Sequence, residues 1–435
     1  METPAIASQT SLAQRARATA LLTTVLFIAF AISLPAQQPI TFADADLRAQ
    51  TLFQQSAITG MVLVIVRNNE VFIKGYGETF PASGHTPGSA SEIRLCSLSK
   101  VFAADLLTRL AAAGAVALDD PLQRYAPRRA KVPEGPGNTP ITLENLATHT
   151  SGLPREVLPS PAKVPHFTFP NYAQRWAWLP NQTLKAPPGT TALYSNAGFD
   201  LLGDALASAA HKPYAQLLHE NILLPLDMWD TTLFPSADQC TRLMQPASDQ
   251  GPCTSTEATG ASSGIYSTGA DMAKFLKYLL HAPTSPAQPA AALSVYFDPA
   301  KLKSVQGLSH AGDPTGIGLA WMQLGASTSA SVILEKTGGG AGFTTYIALS
   351  PTRQTGVFLA ATWGKGDPQV NFFAESNNLL AALANVPPLP PKVHIARASR
   401  HVTRRQRPRL CNKGTALAGP QCVAKNRRPS APAKP

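Results

Sequence analysis

The sequence predicts an α+β fold: one antiparallel sheet built from both chain ends, flanked by helices, with a mostly helical lobe inserted between. Two β-branched runs near the start, a strand meander near the end, and helical spacing between them carry that prediction. Gly60-Met61-Val62-Leu63-Val64-Ile65-Val66 is apolar enough for a strand buried on both faces. Arg67-Asn68-Asn69-Glu70 turns the chain, and Val71 to Gly77 returns it. Toward the other end, Val332-Ile333-Leu334 leads into Lys336, Phe343 to Leu349 follows, Pro351-Thr352-Arg353-Gln354 turns, and Gly356 to Ala361 runs back. Val370 to Asn385 reads as a closing helix, with Phe373, Leu379, Leu380 and Leu383 on one side. In the middle, Val101, Leu106 and Leu110 recur at helical spacing from Ser97, with Gly114 as a stop, so a strongly amphipathic helix is expected there. A further helix is expected from about Ala197 through Leu201, Leu202, Ala205 and Leu206.

A chain of 435 residues, 44% apolar, can bury a large core. Its net charge of +11 suggests a nucleic-acid binder until the charge is located. Of 37 Lys and Arg, 12 lie from Lys392 onward, where no Asp or Glu occurs, and the remaining 25 face all 26 acidic residues. The basicity belongs to a tail, so no nucleic-acid partner is expected. Three segments follow: 1–36, 37–390 and 391–435. In the first, Arg15 and Arg17 precede an uncharged apolar run ending Leu34-Pro35-Ala36. That pattern reads as a secretory signal cut after Ala36, or as a retained membrane anchor. The second is the catalytic body. The third, after Pro387-Pro388-Leu389-Pro390-Pro391, is a basic Pro-rich tail expected to be disordered, and a candidate for attachment to an anionic envelope surface.

Five cysteines suit an oxidising compartment: Cys240 with Cys253 and Cys411 with Cys422 close short loops as candidate disulfides, leaving Cys96 single. With no Cys-x-x-Cys pair and no His-Glu-x-x-His helix, no metal site is expected. Cys96 is expected to act as a small buried apolar residue and His149 to belong to a structural turn.

Three short segments carry the chemistry. In Ser97-Leu98-Ser99-Lys100 the amine lies one helical turn from the hydroxyl, close enough to take its proton. Tyr194-Ser195-Asn196 follows the turn Pro187-Pro188-Gly189-Thr190; its phenol can relay protons and its amide can hold a peptide-like substrate. Lys336-Thr337-Gly338-Gly339-Gly340 offers an ammonium and a hydroxyl for a carboxylate, with glycines that let a substrate approach a strand edge. Each segment alone also fits ordinary structure: an N-cap serine, a core tyrosine beside a capping asparagine, a strand-edge lysine before a turn. Together they describe a serine acyl-transfer site without a histidine.

In this order the segments resemble those of the penicillin-recognising serine enzymes, the class C β-lactamases and the low-molecular-mass penicillin-binding proteins. The likeness extends to Leu118-Asp119-Asp120-Pro121-Leu122, to Leu146-Ala147-Thr148-His149-Thr150-Ser151-Gly152-Leu153-Pro154, and to Gly264-Ile265-Tyr266-Ser267-Thr268 with Asp271-Met272. Within that superfamily the chain is most similar to the AmpH-type D-alanyl-D-alanine carboxypeptidase/endopeptidases. Pro154-Arg155-Glu156, Asp238 to Met244 with Cys253, and Lys336 to Phe343 carry that similarity. Class C β-lactamases place a substrate-contacting glutamine just after the Leu-Pro step; Glu156 stands there instead, which weighs against β-lactam hydrolysis.

The resemblance implies a serine β-lactamase/penicillin-binding protein-like fold and a periplasmic enzyme needing no cofactor or metal. Its implied partners are peptidoglycan stem peptides and β-lactams. Ser97 would be the acylated nucleophile, with Lys100 and Tyr194 sharing proton transfer. Asn196 would hold the substrate amide, Lys336 and Thr337 its carboxylate, and the backbone N–H groups of Ser97 and Gly339 the oxyanion. The expected reaction is cleavage of D-Ala-D-Ala termini or of peptide cross-links. The alternatives are a class C-like β-lactamase or serine esterase using the same site, and a catalytically silent binder of cell-wall fragments.

Overall fold

The first strand of the chain lies beside the last. Numbered along the chain, the strands are β1 (Ile58–Arg67), β2 (Glu70–Gly77), β3 (Glu92–Arg94), β4 (Ala192–Leu193), β5 (Tyr266–Thr268) and β6 (Val295–Phe297), followed by β7 (Val305–Gln306), β8 (Gly316–Gly318), β9 (Met322–Leu324), β10 (Ile333–Gly340), β11 (Phe343–Ser350) and β12 (Thr355–Trp363). The helices are α1 (Phe42–Gln55), α2 (Ser99–Ala112), α3 (Leu143–Ala147), α4 (Tyr172–Trp178), α5 (Asn196–Ala210), α6 (Tyr214–Leu218), α7 (Ala237–Arg242), α8 (Gly269–His281) and α9 (Phe372–Ala384). This computed structural model describes residues 38–389, apart from 162, 249, 282–289 and 326–330. The main sheet has eight strands in the order β2-β1-β12-β11-β10-β9-β8-β6, every pairing antiparallel. Small two-stranded pairs, β3 with β5 and β4 with β7, sit beside it.

The alternation of β1 explains the layers. Val62, Val64 and Val66 enter the core shared with α2 and α8, while Met61, Leu63 and Ile65 enter the core against α1 and α9. Each such side chain removed from water contributes about 1.5–3 kcal/mol, so both faces are strongly specified. The hairpin of β1 with β2, the meander β10-β11-β12 and the closing helix lie where the sequence places them.

The structure corrects other expectations. The sheet is wider, because β6, β8 and β9 are three residues each, too short to announce themselves by periodicity. Helix α1 was not anticipated; a capping box of Thr41 and Asp44 starts it, and Ala45, Ala49 and Leu52 bury one stripe. Helix α2 is not amphipathic: from Ser99 to Leu110 all but Arg109 is buried. Its buried Ala103, Ala104, Asp105 and Thr108 complete a central core helix, which the apolar stripe alone did not reveal. Nor does Ser97 open it; a 3-10 turn, Cys96–Leu98, precedes Ser99. Lys336 lies inside β10, which continues through Gly340.

Cys240 on α7 is disulfide-bonded to Cys253, and Cys96 is free and buried. The N-terminal segment 1–36, the Cys411–Cys422 pair and the tail 391–435 lie outside the described residues. Among the described residues no helix is long and apolar enough to cross a membrane.

Candidate active site

Ser97 sits on a turn held under tension. Cys96 has φ +53°, in the left-handed region that a residue with a Cβ adopts at a cost. The thiol of Cys96 is fully buried and pushed up to about 12 by that burial, which makes it inert. The turn is fastened to the sheet where Thr345 Oγ1 donates to the Leu95 carbonyl at 2.9 Å. Gly338 permits this contact: a Cβ there would lie 2.2 Å from Thr345 Oγ1 and 3.0 Å from the Leu95 oxygen.

Lys100 is wholly buried, and its Nζ lies within hydrogen-bond distance of three oxygens: the Ser262 carbonyl at 2.6 Å, Asn196 Oδ1 at 2.7 Å and Ser97 Oγ at 3.2 Å. Burial lowers its pKa to about 7; the Asp200 and Glu156 carboxylates oppose the shift and Arg155 adds to it. A neutral amine has two protons and one lone pair. The two shorter contacts use the protons, which leaves the lone pair for the Ser97 hydroxyl.

Tyr194 closes the triangle. Its hydroxyl donates to Ser97 Oγ at 2.6 Å, and its ring lies 4.9 Å from Lys100 Nζ, 5.0 Å from Lys336 Nζ and 4.6 Å from Arg155 Cζ. Tyr194 occupies the link between β4 and α5, where the Ser195 side chain caps the helix by accepting from Gly198 N–H at 2.9 Å. Asn196, the first residue of α5, is therefore not the cap. Its amide joins one basic and one acidic group instead, accepting from Lys100 and donating Nδ2–H to Glu156 Oε1 at 2.6 Å.

Lys336 is buried beside Tyr194 and donates to the Thr337 carbonyl at 3.2 Å. Burial lowers its pKa, the Tyr194 phenol opposes the shift, and Lys100 adds to it; an arriving carboxylate would favour the ammonium. Strand β9 pairs with β10 only at Ile333 to Glu335, so the segment from Lys336 to Gly340 keeps β11 on one side and extends past β9 on its other edge, while its face at Gly338 packs on the serine turn. Gly339 lies on that edge. Ser97, Lys100, Tyr194, Asn196 and Lys336 thus lie together, while Thr337 and Gly339 follow Lys336 along the same strand.

Sequence reasoning did not anticipate the second layer. His149 Nδ1 accepts from Ser195 N–H at 3.0 Å while its ring stacks on Tyr194 at 4.4 Å, and burial, then the Lys336, Lys100 and Arg155 cations, holds its pKa well below the usual imidazole value. The imidazole is a support for Tyr194, consistent with the structural role read from the sequence. Ser262 supplies the carbonyl for Lys100, and Asp200 accepts from Ser262 N–H at 3.2 Å. A carboxylate one helical turn after Asn196 was the available signal for Asp200. Ser262, two residues before the Gly264 segment, gave none. Among the described residues no cluster of His, Cys, Asp and Glu is arranged to hold a metal ion.

Comparison with known proteins gives relatives that match most of the chain. The D-alanyl-D-alanine-carboxypeptidase/endopeptidase AmpH of Escherichia coli K12 is 40% identical over 376 residues, covering 85% of this chain and 97% of that protein. The β-lactamase/D-alanine carboxypeptidase of Yersinia pestis, solved with citrate, matches with TM-score 0.74 and 38% identity over 79% of this chain and 99% of its own. A class C β-lactamase at 21% identity and TM-score 0.61, over 78% of this chain and 94% of its own, shares the fold. The β-lactamase family profile matches residues 45–382, which takes in the sheet, the helical lobe and every group gathered around Ser97. The chain belongs to the β-lactamase family.

Proposed function

We propose that the protein is a serine DD-peptidase that cleaves D-Ala-D-Ala termini and peptide cross-links of peptidoglycan through an acyl-enzyme. One observation carries the reading: the Ser97 hydroxyl lies between a wholly buried amine and a phenol that donates to it. The relatives named above as D-alanine carboxypeptidases support the substrate class.

Ser97 Oγ attacks the carbonyl of the penultimate D-alanine as its proton passes to Lys100. The N–H groups of Ser97 and Gly339 receive the oxyanion. Tyr194 delivers a proton to the departing nitrogen, and Lys100 restores it. Water then attacks the ester with the same pair as base. Lys336 and Thr337 hold the terminal carboxylate, and the second Nδ2 hydrogen of Asn196 holds the substrate amide. The peptide lies as an added strand along the free edge of β10.

The protein works in the periplasm. The positive flank and apolar run ahead of Ala36 support export, and that segment or the basic tail would hold the protein near the envelope.

Purified protein is expected to release D-alanine from a stem pentapeptide and to carry a penicilloyl adduct at Ser97, both lost in Ser97→Ala. An undiminished adduct in that variant refutes the assignment. Rapid turnover of a chromogenic cephalosporin without a lasting adduct would favour the β-lactamase alternative.

A further inference from the structure

We propose that the cleft walled by Arg155, Lys185 and Tyr194 is a leaving-group subsite for a residue bearing a second, side-chain carboxylate. The proposal rests on the DD-peptidase reading above and names the substrate class of that site.

The cleft measures about 600 Å³, far more room than a departing alanine needs. Its floor is built: β4 pairs in parallel with β7, Tyr194 N–H donates to the Gln306 carbonyl at 3.1 Å, and Lys303 N–H to the Thr190 carbonyl at 2.9 Å. Gly307, at φ +74°, brings the following loop against Tyr194; a Cβ there would lie 3.0 Å from Tyr194 Cβ. On the opposite wall, Lys185 is anchored by its N–H on the Gly152 carbonyl at 2.7 Å.

The charge in this cleft has one sign. Arg155 and Lys185 are its charged walls, and among the described residues no carboxylate lines it; Glu156, 3.4 Å from Arg155 Nε, lies outside the lining. Thr191, Ser304 and Gln306 add neutral hydrogen-bonding groups. An anionic group is what such a cleft attracts.

Tyr194 assigns the side. Its side chain lines the cleft, stacks under Arg155 Cζ at 4.6 Å and carries the hydroxyl that reaches Ser97 Oγ at 2.6 Å, so the cleft adjoins the reacting hydroxyl through Tyr194. In the proposed chemistry Tyr194 protonates the departing nitrogen, so the cleft opens on the leaving group. Lys336 and Thr337 take that group's α-carboxylate, and its side chain extends between Arg155 and Lys185.

The test uses the full-length protein and two N-acyl peptides ending D-Ala–D-α-aminoadipate, one with the free side-chain carboxylate and one with its amide. The parent is expected to cleave the acid about tenfold more efficiently than the amide at low salt, with the ratio shrinking as salt rises. The Arg155→Gln/Lys185→Gln double variant should bring the ratio to unity, and Lys185→Glu should invert it. Each ratio is internal to one protein preparation, so a general loss of folding leaves it readable. A parent ratio of unity, or a ratio unchanged by the variants, overturns the subsite while leaving the peptidase reading in place. A parent that cleaves neither peptide, nor a D-Ala–D-Ala control, removes the peptidase reading and the subsite with it.

Discussion

Lys100 and Asp200 meet through a single residue, Ser262, whose carbonyl accepts from Lys100 Nζ at 2.6 Å and whose N–H donates to Asp200 Oδ1 at 3.2 Å. Both end groups are fully buried. Burial lowers the amine and raises the carboxyl, and each partner's charge resists the other's shift. The Glu156 carboxylate acts on Lys100 with Asp200, whereas Arg155 acts against them; Arg175 and Asp204 face Asp200 from behind. The proton affinity of the base is therefore set partly by a carboxylate that never touches it.

Asp200→Asn removes a charge that favours the ammonium, so the neutral amine should persist to lower pH. The acid limb of kcat/KM should move down by about one pH unit, with the alkaline limb nearly unmoved. An acid limb that stays in place or moves up would separate Asp200 from the base.

Gly338→Ala tests how tightly β10 must press on the serine turn. The added methyl would meet Thr345 Oγ1 and the Leu95 oxygen, which hold that turn to the sheet. A loss of about 1–3 kcal/mol in stability and a fall in acylation rate larger than the rise in KM are expected. Urea unfolding and the rate of penicillin labelling read these two effects.

His149→Phe keeps a ring against Tyr194 but strips the acceptor from Ser195 N–H. Leaving that buried donor unpaired should cost about 1–3 kcal/mol and lower kcat through a displaced phenol. His149→Asn should recover part of both, because asparagine tolerates the φ of +61° found there and offers an amide oxygen. Melting curves and kcat measured side by side decide it.

Glu92 on β3 is fully buried, neither carboxyl oxygen has a hydrogen-bond partner among the described residues, and the Arg242 guanidinium is 3.9 Å away. Burial pushes its pKa up to about 9 from 4.5; Arg242 opposes the shift, and Asp230, Asp271 and Asp238 add to it. The folded state thus holds a proton that the unfolded chain releases above 4.5, so this group's favourable contribution is complete below 4.5 and fades as pH rises toward 9. Glu92→Gln should stabilise the protein by roughly 2 kcal/mol near pH 8 and by nothing near pH 4. Equal gains at both pH values would place the effect elsewhere.

The parts of the molecule legible in the sequence are those with long or chemically costly signals. The valine-rich run of β1 could only be a strand between two cores, and Ser97 with Lys100, Tyr194 and Lys336 formed a combination whose order was more informative than any member. Three-residue strands such as β8 and β9 leave no periodic trace, since their pairing is decided by neighbours far along the chain. Helix α2 was misjudged because its buried Asp105 looks solvent-facing until Arg109 and Tyr278 are seen to satisfy it. Ser262 acts through its backbone, and a carbonyl's position is invisible in a side-chain code. The departure at Glu156 could be read from the sequence, but its partner, Asn196, could not.

The pairing of β1 with β12 has a consequence for how the protein is made. A nascent chain carries β1, its most apolar strand, with one hydrogen-bonding edge unmatched until Thr355 to Trp363 has been synthesised. Truncation before that point should therefore give a sticky, unassembled product rather than a smaller working enzyme. Synthesis through β12, not of any earlier portion, is the event that lets the sheet close.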